Sequence, residues 1–176
     1  MNRKLQLIVT ASMLAAMTTI ATMVIKVPTL GTNGYVNIGD SMVLISAWLL
    51  GNPYGALAAL VGSALADLLS GYPAYVPGTA IIKGLMAVVC TLVFSAVHKK
   101  NIPLPFAYVS SSIAAEIVMI VGYFAYESAV LGYGMAAAAS IVSNAVQAVT
   151  CIILGNTLIA VLSRVRFINR MTTGEP

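Results

Sequence analysis

The sequence predicts an all-α integral membrane protein, a compact bundle of six transmembrane helices with both termini in the cytoplasm. Three observations carry this. Of 176 residues, 60% are hydrophobic and only 8% charged, against about 25% charged in a soluble domain. A soluble fold of this length cannot cover so much apolar surface, because surface grows too fast relative to volume. The apolar residues also fall into runs near the roughly 20 residues that a helix needs to cross a bilayer. Finally, the basic residues sit mostly at the chain ends and in one loop, which is the signature of membrane topology. The net charge of +4 therefore reports orientation, and a nucleic-acid surface is not expected. One bundle fills residues 1–176, without a soluble domain, an internal repeat or a low-complexity stretch. The expected location is the cell membrane, crossed several times.

The first helix is expected over Leu5–Ile25, a run without a charge. Arg3-Lys4 before it imitates a signal peptide. The run is longer than the core of about 7–15 residues that such a peptide carries, and no small-residue cleavage site leads into a soluble domain, so it reads as a retained helix. Lys26–Gly39 is rich in Gly, Pro, Thr and Asn and reads as a loop. Asp40–Leu69 is apolar but broken by Gly51-Asn52-Pro53. Proline lacks an amide donor and restricts the residue before it, so the stretch divides into helices at Asp40–Leu50 and Tyr54–Leu69. Gly71–Gly78 is a second loop and Thr79–Val97 the fourth helix. His98-Lys99-Lys100-Asn101-Ile102-Pro103 is a charged loop. Pro105–Glu127 and Gly134–Leu162 complete the set, and Arg164, Arg166 and Arg170 follow. With six spans, Arg3-Lys4, His98-Lys99-Lys100 and the arginine tail all fall on the cytoplasmic side; with five, the tail would fall opposite the N-terminus.

Charge inside a bilayer costs at least ~2.5–3.5 kcal/mol per residue and marks function. The residues of interest are Asp40, Asp67, Lys83, Glu116 and Glu127. Asp67 near the outer end of the third helix and Lys83 about one turn inside the fourth lie at similar depth, and are expected to form a structural ion pair; Lys83 is also open to a ligand. Glu116 lies roughly 16 Å from the cytoplasmic end of its helix, with no unpaired cation at its depth. It either holds a proton, pairs with Asn144 or Gln147, or meets a ligand. Asn144 and Gln147 are three apart and share a helix face; interhelical bonding and ligand reading both suit them. Tyr72, Tyr75, Tyr123, Tyr126 and Tyr133 map to the outer side, as an interfacial belt or as rings that stack on a flat ligand. Asn37 and Asp40 cap the same half. The polar residues thus converge on an outward-facing pocket for a small, planar, polar molecule.

On the first helix, Ala11 and Ala15 are four apart and stack on one face. Such spacing lets another helix approach closely, either within this bundle or on a partner membrane protein. Cys90 and Cys151 lie in apolar runs and read as small buried hydrophobes. No metal spacing, phosphate loop, HExxH or GxSxG occurs. The one histidine, His98, sits in the basic loop. Neither a cofactor nor enzymatic chemistry is expected.

The segments YVNIGDSMVLISAWLLGNPYGALAALVGSALADLL and GYPAYVPGTAIIKGL resemble the substrate-binding S components of energy-coupling factor (ECF) vitamin transporters. The pattern Asn-x-Gly-Asp, Gly-x-Pro-x-Gly, Gly-Ser-x-x-Ala-Asp and Lys-Gly spans about Tyr35–Leu85, and is most similar to the branch for hydroxymethylpyrimidine- and pyridoxine-type substrates. The resemblance implies a subunit that binds a vitamin or precursor from outside and associates with a membrane coupling subunit and two cytoplasmic ATPases. It implies that Ala11 and Ala15 dock the coupling subunit, and that substrate sits among helices four to six and the loop between the first two helices. Candidate ligand contacts are Asn37, Asp40, Tyr75, Lys83, Glu116, Tyr123, Asn144 and Gln147. Glu116 would accept two hydrogen bonds from an amino-pyrimidine edge, with Thr32–Asp40 closing as a lid. The competing readings are an autonomous secondary transporter, proton-coupled through Glu116 or Asp67, and a purely structural membrane protein. An inverted repeat would favour the former, and none is evident.

Overall fold

The computed structural model describes residues 2–29, 32–100 and 102–164. Arg166 and Arg170 of the basic tail lie outside the described residues. Six α-helices are built: α1 (Arg3–Val24), α2 (Asp40–Leu50), α3 (Tyr54–Leu69), α4 (Val76–His98), α5 (Leu104–Ala125) and α6 (Ala138–Leu162). Among the described residues, four helical segments are long and apolar enough to cross a membrane: Arg3–Val24, Val76–His98, Leu104–Val130 and Gly134–Leu162. Helices α2 and α3 are shorter, at 11 and 16 residues.

The break at Gly51-Asn52-Pro53 falls where turn chemistry requires it. Gly51 adopts φ +62°, a conformation that side chains rarely take, and its N–H closes α2 on the Ala47 carbonyl. Helix α4 starts at Val76, three residues before the expected Thr79. Pro77 belongs to its first turn, where a missing N–H costs nothing. Helix α5 runs on into one π-helical turn, Tyr126–Val130, and a short 3₁₀ segment, Gly134–Ala137, leads into α6.

The first connection is not irregular, as expected, but a small hairpin. Strands β1 (Lys26–Pro28) and β2 (Tyr35–Asn37) pair antiparallel, Val27 opposite Val36. Tyr35 and Asn37 are two apart, so they share one face of β2.

Burial separates the helices sharply. Ten of the eleven residues of α2 are buried, so it forms the axis of the bundle. In α1 only Leu14, Ala15, Thr18 and Thr22 are buried, while Leu5, Ile8, Met13, Met17, Ile20 and Val24 are exposed. In water that surface would be a severe liability; in hydrocarbon it is ordinary.

The small-residue face of α1 is used inside the bundle. Ala15 is buried and Ala11 packs against the core. A Cβ on Gly62 of α3 would stand 2.5 Å from the Ala15 carbonyl oxygen, so the two backbones touch there. The Thr19 hydroxyl, 2.8 Å from the Gly62 carbonyl, adds a polar contact. Of the two uses this spacing allows, packing within the bundle is the one seen here: Ala15 meets α3, and Ala11 is partly buried beside it. Spacing identifies a face and leaves open which way it points.

Away from the hairpin, the core is apolar and tightly filled: Leu44, Ile45, Met86, Cys90, Ala115 and Met119 are all almost fully buried. Trp48 Nε1 donates to Ser111 Oγ at 2.9 Å, and its ring meets Tyr108 at 5.0 Å.

Candidate functional site: a roofed cleft above a charged layer

The hairpin, the α3–α4 turn and the α5–α6 connection meet at one end of the bundle. Lys26 Nζ donates to Ser70 Oγ at 3.0 Å, Asn33 Nδ2 to Tyr133 Oη at 3.0 Å, and the Tyr126 hydroxyl to the Ala74 carbonyl at 2.6 Å. A chain of rings runs Tyr35–Tyr72–Tyr75–Tyr126, with centroids 4.7, 6.4 and 6.3 Å apart.

Beneath this roof lies a cleft. Its wall includes Asn37, Tyr75, Tyr123, Asn144 and Gln147, five of the residues singled out from the sequence. Thr29, Tyr35, Asp67, Thr79 and Glu127 complete the polar lining. The free space is about 20 Å³, room for about one water. As closed here, the cleft has no room for anything larger.

The wall is held by specific bonds. Tyr35 donates to Asp67 Oδ1 at 2.6 Å, and Tyr75 to Glu127 Oε1 at 3.1 Å. Tyr123 and Thr79 share a hydrogen bond of 2.9 Å. Burial, reinforced by the Asp67 carboxylate, pushes the Tyr35 phenol above its ordinary value; burial and Glu127 do the same to Tyr75. Both phenols thus remain donors at neutral pH.

One layer deeper are Asp40, Lys83 and Glu116, each at most 2% exposed. They do not line the cleft. Lys83 pairs with Asp40, not with Asp67 as expected. Asp67 and Lys83 do sit on consecutive helices, but the axial helix α2 brings its first carboxylate to Lys83, and Tyr35 from the hairpin takes Asp67. Lys83 Nζ also lies 5.2 Å from the centre of the Tyr123 ring. Gln147 joins the two levels: its Nε2 donates to Asp40 Oδ2 at 2.5 Å, and its Oε1 accepts from the Asn37 N–H at 2.6 Å. Cys151, one turn further along α6, faces the Asn37 carbonyl at 3.5 Å.

Glu116 pairs with neither Asn144 nor Gln147, since neither of its oxygens has a hydrogen-bond partner. Asp40, Glu116 and Cys151 each bring one potential metal-ligand atom within 4.8 Å of the others. Lys83 already supplies a positive charge to Asp40 in that group.

Tyr35, Thr29, Thr79 and Glu127 were not singled out as wall residues in the sequence. The spacing of Tyr35 and Asn37 was the available signal, since a strand would present both on the face that carries Asn37 to the site.

Comparison with known proteins agrees with this architecture. Residues 2–164 match the family described as ECF-type riboflavin transporter, S component. A Pyrococcus woesei protein, described as an uncharacterized protein in gap 3′ region, is 34% identical over 146 residues, covering 83% of this chain and 94% of that one. A solved structure, titled as the structure and mechanism of the S component of a bacterial ECF transporter, superposes with a TM-score of 0.67 at 22% identity, covering 92% of this chain and 98% of the other. S components are membrane subunits that bind a small-molecule substrate and associate with the ECF module, and they are not enzymes. The chain belongs to the ECF-type riboflavin transporter S-component family.

Proposed function

We propose that this chain is the substrate-binding subunit of an ECF importer, taking a small single-ring heterocycle of the hydroxymethylpyrimidine or pyridoxine type from outside the cell membrane. The observation that carries the reading is the cleft under the hairpin, where amides and phenols converge from β2, α5, α6 and the turn before α4. Asn37, Asn144 and Gln147 supply donors and acceptors for ring edges, and Tyr75 and Tyr123 supply ring faces. The preference for a single ring over the three fused rings of a flavin rests on the resemblance of Tyr35–Leu85 to the branch for hydroxymethylpyrimidine- and pyridoxine-type substrates. Asp40 and Lys83 support the wall from below. Glu116 lies one layer below the cleft, beside Asp40.

Orientation rests on charge. Arg3 and Lys4 at the start of α1, His98–Lys100 at the end of α4 and Arg164 after α6 lie at the end opposite the hairpin. Basic ends stay cytoplasmic, which turns the cleft outward; with α2 and α3 counted as crossings the chain spans the membrane six times. Energy comes from partners, a membrane coupling subunit with two cytoplasmic ATPases. The side of α1 left for the coupling subunit carries the exposed small pair Ser12 and Ala16.

Mass spectrometry of small molecules that co-purify with the detergent-solubilised protein tests the substrate; a pyrimidine or pyridine is expected, and a flavin or a non-aromatic compound overturns this choice. Proteoliposomes test the partner requirement. Uptake by this chain alone would make it an autonomous transporter.

A further inference from the structure

Four carboxyl side chains are buried at the hairpin end, each at most 5% exposed: Asp40, Asp67, Glu116 and Glu127. Two are fully engaged. Asp40 holds Lys83 on one oxygen and the Gln147 amide on the other. Glu127 accepts from Tyr75 and from Ser140. Glu116 has no hydrogen-bond partner, but it lies below the cleft. Asp67 combines the two properties that a ligand contact needs. It belongs to the cleft wall, and among the described residues its Oδ2 is buried with no donor in hydrogen-bonding geometry, the Thr79 hydroxyl beside it being engaged with Tyr123.

A buried acceptor left without its bond costs roughly 1–3 kcal/mol, more when charged. The other oxygen of Asp67 is already fixed by Tyr35 at 2.6 Å, which holds the carboxylate in place. Nearby cations are committed elsewhere. Lys83 is paired with Asp40, and the exposed Lys26 donates to Ser70 while standing 5.7 Å from the Tyr35 ring centre. Among the described residues, then, Asp67 has no ion-pair partner, although it sits where a bilayer makes unpaired charge costly.

We propose that Asp67 Oδ2 anchors a positively charged nitrogen of the ligand, so that the cleft selects a cationic heterocycle over its neutral isostere. Tyr75 and Tyr123 belong to the same wall, and an aromatic ring face attracts a cation for a separate reason, its quadrupole; one cation, Lys83, already lies 5.2 Å from the Tyr123 ring centre. The inference rests on the reading of the cleft as the ligand site. A flavin offers no such charge.

Two probes that differ at one group test it on the full chain in detergent, by calorimetry. One is 4-amino-5-aminomethyl-2-methylpyrimidine, an ammonium at neutral pH. The other is 4-amino-5-hydroxymethyl-2-methylpyrimidine, its neutral counterpart. The wild type is expected to bind the ammonium probe at least about tenfold tighter, the low end for a bond to a charged group. Asp67→Asn is expected to erase that ratio, and Tyr35→Phe to keep it, because Tyr35 touches only the other oxygen. Equal binding of the two probes by the wild type overturns the inference and leaves the cleft reading standing, even if Asp67→Asn does not fold. A preference that survives Asp67→Asn overturns it as well. Binding of neither probe overturns the inference, and the identity of the co-purifying molecule then decides the cleft reading.

Discussion

The wall of the cleft and the charged layer beneath it are built from neighbouring positions of the same elements, yet they are finished differently. Asn37 is in the wall and Asp40 in the layer, three residues on. Thr79 is in the wall and Lys83 in the layer, one helical turn away. In the layer, Asp40 and Lys83 are sealed from solvent and committed to each other, with the last acceptor of Asp40 taken by Gln147. In the wall, Tyr35, Asn37 and Tyr123 are only half-buried, and Asp67 keeps an unpartnered oxygen. The layer is arranged as a support and the wall as a surface that expects a visitor. Changes in the layer should therefore be felt in stability, and changes in the wall in ligand affinity.

The largest expected effect comes from splitting the ion pair. Asp40→Leu or Lys83→Met alone leaves one charge buried without its partner, which costs about 3–5 kcal/mol. The double variant removes both charges and should recover at least half of the loss. Thermal melts in detergent, followed by Trp48 fluorescence, measure this. If the double variant is no more stable than the worse single one, the layer does not depend on this pair.

Gln147 belongs to both regions, so its loss should register in both. Gln147→Leu deprives Asp40 of a donor and the Asn37 N–H of an acceptor. With some relaxation we expect a loss of about 2 kcal/mol. Amide hydrogen exchange should rise in the hairpin around Tyr35–Asn37, while α2 beyond its first turn stays protected. Exchange unchanged in the hairpin would mean that Gln147 does not tie the roof to the bundle.

How far the sequence could be read differs between these same regions. The helices were legible because their signals are local. The break at Gly51-Asn52-Pro53 and the bounds of α2 and α3 follow from glycine and proline chemistry. Convergence of Asn37, Tyr75, Tyr123, Asn144 and Gln147 was legible from helix direction and depth alone. Pairing within the layer was not. Position along a helix gives height in the bundle but not which neighbour stands across the axis, so Lys83 was matched to Asp67 when α2 had placed Asp40 closer. The hairpin was missed because strands of three residues are too short to show a period, and with it went Tyr35, the residue that holds Asp67.

Glu116 is the residue on which the comparison can be sharpened, because it lies in the layer but is not bonded like the rest of it. Its oxygens have no hydrogen bond to lose. Its neighbours are the Asp40 carboxylate, with an oxygen within 4.8 Å, and Lys83, which is paired with Asp40. Glu116→Gln keeps the volume and places an amide near the Asp40 carboxylate. The stability change should therefore stay within about 1 kcal/mol, far below that of Asp40→Leu. Ligand affinity should fall by less than about tenfold, since Glu116 does not line the closed cleft. Melting and calorimetry on one preparation read both quantities. A stability loss as large as that of Asp40→Leu would make Glu116 a second partner of Lys83. Complete loss of binding would instead lower the floor of the site by one layer, with Gln147 displaced and the ligand seated against the charges themselves.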